Sequence, residues 1–126
     1  MKRLILCAII GALLAGSSVL SLRYMRTSCD QLTGQLEKVV LQMQAGDKEK
    51  ALAHYQELAA LWEEKEPLLE LMIRHQHLDE AAVGIRALSA YISHDSPVLF
   101  FAEADKIRFC LRDIWEKETF SLENLL

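Results

Sequence analysis

The sequence predicts an all-α protein in which an N-terminal transmembrane helix is followed by an antiparallel bundle of about four helices. Three observations lead to this prediction. An uncharged apolar run extends from Leu4 to Leu22, apolar residues recur at spacings of three and four along the rest of the chain, and no competing strand pattern is present. We therefore expect an anchor over residues 1–25 and a helical bundle domain over residues 26–126.

The apolar run has the length of a membrane span. Its nineteen residues, at about 1.5 Å each, cross most of a hydrocarbon layer about 30 Å thick. Lys2 and Arg3 precede it, and small residues from Ala15 to Ser18 lie near its end, so a retained anchor and a cleaved secretory signal both fit. The length favours the retained anchor. The basic start and the acidic remainder favour an N-terminus inside the cell, with the helical domain outside the membrane.

The first two bundle helices follow from the apolar spacing. The first continues the anchor helix, with a stripe made of Cys29, Leu32, Leu36, Val39, Val40 and Met43. We expect it to end at Gly46, which accepts a left-handed conformation, and Asp47 to cap the next helix. The second helix carries one apolar face made of Ala51, Leu52, Tyr55, Leu58, Ala59 and Trp62. Pro67 is expected to kink or briefly break it before it continues to about His75.

Two further helices complete the predicted bundle. The third has an apolar stripe made of Leu78, Ala81, Ala82, Ile85, Leu88, Ser89 and Ile92. The fourth is expected to start with Ser96 as cap and Pro97 in its first turn. Its stripe is Phe100, Phe101, Ala104, Ile107, Leu111, Ile114 and Trp115. Phe109 lies off this stripe, either as a single exposed apolar residue, which is common, or as part of a second contact surface for a partner or for the bilayer face. The apolar tail Phe120–Leu126 is expected to pack on the bundle or on another chain.

Composition excludes several classes of function. Residues 27–126 carry ten basic residues against eighteen acidic ones, a net charge of −8 that repels a phosphate backbone. The acidic run Glu63–Glu70 lacks the glycine turn of a calcium loop. Serine, histidine and aspartate occur in no nucleophile-elbow context. We therefore predict no nucleic-acid partner, no cofactor, and no catalytic or metal-binding residue.

Two groups of residues leave alternatives open. His75 and His77, with Asp79 and Glu80, are the only concentration of potential metal ligands, but residues two apart on a helix point to different sides. The alternative function is therefore an extracytoplasmic sensor or ligand-binding domain that responds to pH or metal through the His75–Glu80 junction. Cys29 and Cys110 are expected to be buried free thiols, although an extracytoplasmic domain would also allow them to form a disulfide.

Several features follow one another along the whole chain in the order seen in a known family. They are the basic-then-apolar start, the Gly46-Asp47 corner with Ala51, Leu58 with Trp62, the spacing of His75 from Asp79, the stretch Leu88 to Ile92, and the close Glu118 to Leu126. In these features the chain resembles the uncharacterised bacterial proteins of domain-of-unknown-function family 4363, which are common in spore-forming Firmicutes. It departs from the family at Gln76 and His77, where acidic residues are usual, and at Pro67. The resemblance implies a membrane-anchored helical protein and supplies no activity, cofactor or catalytic residue.

The expected function is therefore that of a non-enzymatic scaffold or protein-interaction module at the bacterial cell envelope. Its expected partners are the lipid bilayer, through Leu4–Leu22, and another membrane or envelope protein. This expectation rests on the anchor, the apolar tail and the absence of convergent polar groups in the sequence.

Overall fold

Helices make up nearly all of the chain. The computed structural model describes the backbone of residues 1–72 and 75–125, and within those ranges the side chains of all residues except 72, 75, 77 and 117–125. The helices are α1 (Lys2–Gln44), α2 (Lys48–Met72), α3 (His75–Ser93) and α4 (Pro97–Leu125). No strand occurs within those described ranges, and the predicted all-α class is confirmed.

The four helices form an up-and-down bundle. Helix α1 packs against α2 and α4, and α3 packs against the same two helices. Neighbours in sequence are joined by short connections and lie antiparallel, as the sequence predicts. The corner between α1 and α2 and the corner between α3 and α4 lie at the same end of the bundle, where Lys48 Nζ is 3.5 Å from Asp95 Oδ1. We call this the far end, and the opposite end the base.

Helix α1 is much longer than the bundle. Its 43 residues extend about 65 Å at 1.5 Å per residue. Its buried residues begin only at Met25, and they are Met25, Ser28, Cys29, Leu32, Leu36, Val39, Val40 and Met43. The predicted continuation of the apolar run into the first bundle helix is confirmed, and the predicted boundary between residues 25 and 26 lies inside an unbroken helix.

The corner between α1 and α2 has the predicted chemistry. Gly46 has a φ of 76°, a left-handed conformation that glycine adopts without a steric penalty. Asp47 Oδ1 accepts a hydrogen bond from the Lys50 amide at 3.1 Å, which satisfies one donor in the first turn of α2. At the other corner Asp95 takes the left-handed position, with a φ of 56°, and α4 begins at Pro97 as expected.

Of the two outcomes expected at Pro67, the brief break is wrong and the kink stays a prediction. Helix α2 continues through Pro67 as far as Met72, and α3 begins at His75, while residues 73 and 74 lie outside the described residues. Proline removes one helical hydrogen bond, but Trp62 and Leu69 are both buried on either side of it. Their burial holds the two halves of α2 against the core, so the helix persists at the cost of that bond.

The core consists of the predicted stripes with a few differences. Leu52 is exposed, whereas Leu69 and Cys110 are buried without having been assigned to a stripe. Gly84 on α3 is a close contact with α4, because a Cβ at this position would be 2.9 Å from Ile107 Cγ1. The glycine therefore sets how closely these two helices approach.

Candidate functional site

The His75–Glu80 junction does not assemble a site among the residues whose side chains are described. The side chains of His75 and His77 lie outside the described residues, and Asp79 and Glu80 are exposed. Within the described part of the chain no group of three or more His, Cys, Asp or Glu is arranged to hold a metal ion. Glu80 Oε2 lies 3.9 Å from Cys110 Sγ, a weak thiol hydrogen bond. The sensor hypothesis therefore stays a prediction.

The two bundle cysteines are buried free thiols, as favoured from the sequence. Burial raises the pKa of Cys29 to about 11, and the negative charge of Asp30 acts in the same direction. Burial also raises the pKa of Cys110, and Glu80 adds to the effect. Because the thiolate is the reactive form of cysteine, both side chains are poor nucleophiles near neutral pH.

The most distinctive polar arrangement lies where the apolar segment of α1 enters the bundle. Arg26 on α1 has its guanidinium 5.1 Å from the ring centre of Trp115 on α4. Lys65 on α2 has its ammonium 5.2 Å from the ring centre of Tyr24 on α1. We call these four residues the collar. Each pair is a cation–π contact that contributes about 0.5–1 kcal/mol at a surface site.

The geometry of α1 explains why the collar has two sides. Tyr24 and Arg26 are two residues apart, so their side chains leave the helix in different directions. One meets α2 and the other meets α4, the two helices that flank α1 in the bundle. The collar therefore fixes the same level of α1 against both neighbours.

Two helices continue beyond the level of the collar. Helix α2 runs for seven residues from Lys65 to Met72, about 10 Å. Helix α4 continues from Trp115 to Leu125. On α2 this stretch exposes two leucines, Leu68 at 46% and Leu71 at 83%. The base of the bundle thus presents exposed apolar side chains together with the acidic residues Glu66 and Glu70.

A groove opens beside the collar between α1 and α4. Its volume is about 350 Å³, and the described residues that line it are Val19, Leu22, Arg23, Arg26 and Trp115. Two of the lining residues are aliphatic and two are arginines, which follow the aliphatic ones along α1. A second depression, of about 190 Å³, lies further up the same pair of helices beside Cys29 and Arg112. The groove combines an apolar floor with positive charge at the level where α1 becomes exposed.

The outer face of α4 carries an exposed stripe in which three apolar residues surround one carboxylate, Asp105. Val98, Ala102, Asp105 and Phe109 recur at spacings of four, three and four, which places them on one side of the helix. All four are exposed, Val98 at 80% and Phe109 at 68%. The buried stripe, which includes Phe100 and Ile107, faces the core on the opposite side. Phe109 is exposed, the contact surface predicted at it stays a prediction, and the sequence analysis missed the stripe to which it belongs.

The α1 half of the collar, Tyr24 and Arg26, could have been found in the sequence. Arg23 and Arg26 follow the apolar run, and Tyr24 stands between them. An aromatic residue among basic residues at the end of an apolar run is typical of a membrane–water boundary. The partners Lys65 and Trp115 are distant in sequence, so only the bundle topology brings them to this level.

The fold and the collar define a class: a small four-helix bundle whose first helix is extended by a long apolar segment. The chain belongs to the family described as Domain of unknown function (DUF4363), whose model matches residues 19–125. The matched range includes the whole bundle and the collar, and begins near the end of the apolar run. No curated protein and no solved structure matches the chain.

The apolar segment meets the physical requirements of a membrane span. The most apolar window of α1 has a mean hydropathy of 2.3, and none of it is buried within the chain. A signal sequence near the N-terminus has the same length and composition. The structure therefore establishes a helix that is long and apolar enough to cross a membrane.

Proposed function

We propose that this protein is a membrane-tethered, non-enzymatic helical module that contacts another protein of the cell envelope. The continuity of α1 carries the proposal, because one unbroken helix forms both the uncovered apolar segment and the first helix of the bundle. Exposed apolar surface of this extent is unfavourable in water and favourable in a bilayer. Without a flexible linker, the bundle is held in a fixed orientation relative to the membrane.

The collar supports this arrangement. Aromatic rings and basic side chains are favoured at the membrane–water boundary, where an apolar body and a polar tip are both solvated. With Leu4–Leu22 in the hydrocarbon layer, Tyr24 and Arg26 fall just outside it. Leu68 and Leu71 lie beyond the collar on α2 together with Glu66 and Glu70, so this stretch belongs at the polar boundary of the layer, where apolar and charged side chains are both accommodated.

The stripe on α4 is the surface we assign to a protein partner. Apolar side chains at spacings of three and four are suited to packing against another helix. Its central Asp105 pairs with Arg108 of the same helix, so the carboxylate is partly neutralised where a partner would approach. The proposed partner contact is therefore with a helix of a second envelope protein.

The tether and its topology are tested by thiol labelling of the full-length chain in intact bacterial cells. In a background with Cys7, Cys29 and Cys110 replaced by alanine, Glu64→Cys should react with a membrane-impermeant maleimide. Lys2→Cys, at the other end of the apolar segment, should react only after lysis. The reverse pattern would place the bundle in the cytoplasm, and release of the chain by alkaline carbonate would contradict the tether.

The partner surface is tested by site-specific photocrosslinking in living cells. A photoreactive phenylalanine analogue at Phe109 should give one defined adduct, whereas the same analogue at Arg86, an exposed position on α3, should not. Val98→Asp, on the same stripe, should abolish the Phe109 adduct. Equal adducts from positions 109 and 86, or an adduct insensitive to Val98→Asp, would contradict a specific contact on α4.

A further inference from the structure

The groove between α1 and α4 has the chemistry of a lipid site. Its floor is formed by Val19 and Leu22, which belong to the apolar segment, and one wall by the Trp115 ring. Arg23 and Arg26 lie one and four residues beyond Leu22 along α1. A phospholipid has the same arrangement along the membrane normal. Its acyl chains lie inside the layer, level with the apolar residues, and its phosphate lies at the boundary, level with the arginines.

We infer that this groove binds an anionic phospholipid of the surrounding bilayer, with its phosphate at Arg23 and Arg26 and its acyl chain along Val19, Leu22 and Trp115. The inference rests on the proposed membrane tether. It goes beyond the tether because a spanning helix alone needs no particular lipid, whereas this groove selects by charge.

The charge of the bundle is divided between its two sides. The acidic run of α2 lies on the other side of α1, and its members are Glu63, Glu64, Glu66 and Glu70. From residue 23 to residue 116, α1 and α4 carry six basic residues and six acidic residues, which are Arg23, Arg26, Lys38, Lys106, Arg108 and Arg112 and, of opposite charge, Asp30, Glu37, Glu103, Asp105, Asp113 and Glu116. Of these arginines, Arg108 is already paired with Glu37 and Asp105. The two charged residues that line the groove, Arg23 and Arg26, are both basic, and theirs are the charges that a phosphate would meet there.

The contact of Arg26 with Trp115 preorganises the groove. A guanidinium stacked on an aromatic ring keeps its charge and can still donate hydrogen bonds from its edge to phosphate oxygens. The ring also lines the groove in which the acyl chain would lie. Arg26 is thus placed before the lipid arrives, which lowers the entropy lost on binding.

The test uses full-length protein reconstituted in vesicles of phosphatidylcholine and phosphatidylglycerol, in which one or the other lipid carries brominated acyl chains. Bromine quenches tryptophan fluorescence on contact. We expect brominated phosphatidylglycerol to quench Trp115 at least twofold more strongly than brominated phosphatidylcholine at equal mole fraction. Trp115→Phe should remove the selective part of the quenching, because Trp62 is buried in the core.

Charge variants separate a site from general attraction. Arg23→Gln should bring the ratio of quenching by the two lipids close to one. Arg86→Gln makes the same change in net charge at an exposed position of α3, and it should leave the ratio as in the parent protein. A folded Arg23→Gln protein is verified by its circular dichroism melt. As an independent measurement, native mass spectrometry should show phosphatidylglycerol retained by the parent protein and lost from Arg23→Gln.

The outcomes distinguish this inference from the function on which it rests. Equal quenching by both brominated lipids in the parent protein overturns the lipid site and leaves the tether intact. An unchanged ratio in Arg23→Gln also overturns the site. Absence of quenching by either lipid overturns both the site and the tether.

Discussion

Arg108 on α4 and Glu37 on α1 form a two-pronged ion pair that joins the first and last helices of the bundle. Arg108 Nη2 donates to Glu37 Oε2 at 3.1 Å, and Arg108 Nε donates to Glu37 Oε1. The hydrogen bond to Glu37 raises the pKa of Arg108 above its usual value. In this parallel geometry the two N–H groups of the guanidinium face the two oxygens of the carboxylate. The pair fixes the register of α1 against α4, although the two residues are 71 positions apart in sequence.

Breaking this pair should lower stability measurably. We expect Glu37→Gln to reduce the free energy of unfolding by about 1 kcal/mol, the upper end for a partly exposed pair with good geometry. Asp105→Asn, which alters the other carboxylate partner of Arg108, should cost only a few tenths of a kcal/mol, because Asp105 is far more exposed. Denaturant titrations of the solubilised protein test both, and an equal effect of the two changes would contradict the structural role given to Glu37.

The raised pKa of Cys29 predicts a loss of stability in alkali. The folded state keeps the thiol protonated up to about pH 11, whereas the ordinary value is 9.0. The folded state therefore binds more protons than the unfolded state between these values. The stabilisation is fully present below pH 9 and is lost as the pH rises towards 11.

The measurement is a set of melting curves between pH 8 and pH 11 for the parent protein and for Cys29→Ala. The parent should lose more stability than the variant over this range, by about 2 kcal/mol. Lysine and tyrosine titrations are common to both proteins and cancel in the difference. Parallel pH profiles of the two proteins would show that burial does not raise the pKa of Cys29.

Gly84 and Gly34 provide a matched pair of glycine substitutions. A Cβ at Gly84 would lie 2.9 Å from Ile107 Cγ1, an atom of a buried side chain, whereas nothing lies within 4 Å of a Cβ at Gly34. Gly84→Ala should therefore destabilise by about 1–2 kcal/mol, since overpacking outweighs better helix propensity. Gly34→Ala should stabilise by about 0.5–1 kcal/mol. The two thermal melts should shift in opposite directions, and a shared direction would contradict the close approach of α3 to α4.

Ser28 is a fully buried hydroxyl without a hydrogen-bond partner among the described residues. Leaving such a group unpaired costs about 1–3 kcal/mol, so Ser28→Ala should raise the free energy of unfolding by about 1 kcal/mol. Ser89→Ala is the control, because Ser89 Oγ donates to the Arg86 carbonyl at 2.9 Å. Both changes gain the same helix propensity. Equal shifts in chemical denaturation would show that the Ser28 hydroxyl carries no penalty.

The apolar spacing predicted the helices and most of the core because burial is periodic along a helix. The corner at Gly46 was predicted from the residue types alone, because a left-handed glycine and a capping aspartate act locally. The collar and the Arg108–Glu37 pair depend on which helices become neighbours. Local spacing contains no information about those contacts, as the pairing of Lys65 with Tyr24 illustrates.

Pro67 shows how tertiary packing overrode a local signal. Proline cannot donate to the Glu63 carbonyl four residues earlier, and it costs about 3 kcal/mol in the middle of an isolated helix. The burial of Trp62 and Leu69 nevertheless keeps α2 continuous through it. Alanine at this position would restore the missing helical hydrogen bond. We expect Pro67→Ala to stabilise the bundle by about 1–2 kcal/mol, which is less than the full cost of proline because the alanine variant has a more flexible unfolded chain.

Pro97 gives this prediction its control. It occupies the first position of α4, where proline is favoured because its missing amide hydrogen would have no helical partner. Pro97→Ala should therefore leave stability unchanged or lower it slightly. Thermal melts of the two variants followed by circular dichroism should differ in sign or clearly in size. A melting temperature that does not rise in Pro67→Ala would contradict this prediction. It would mean that proline costs the helix nothing at residue 67, as it would if the helix were kinked or broken there.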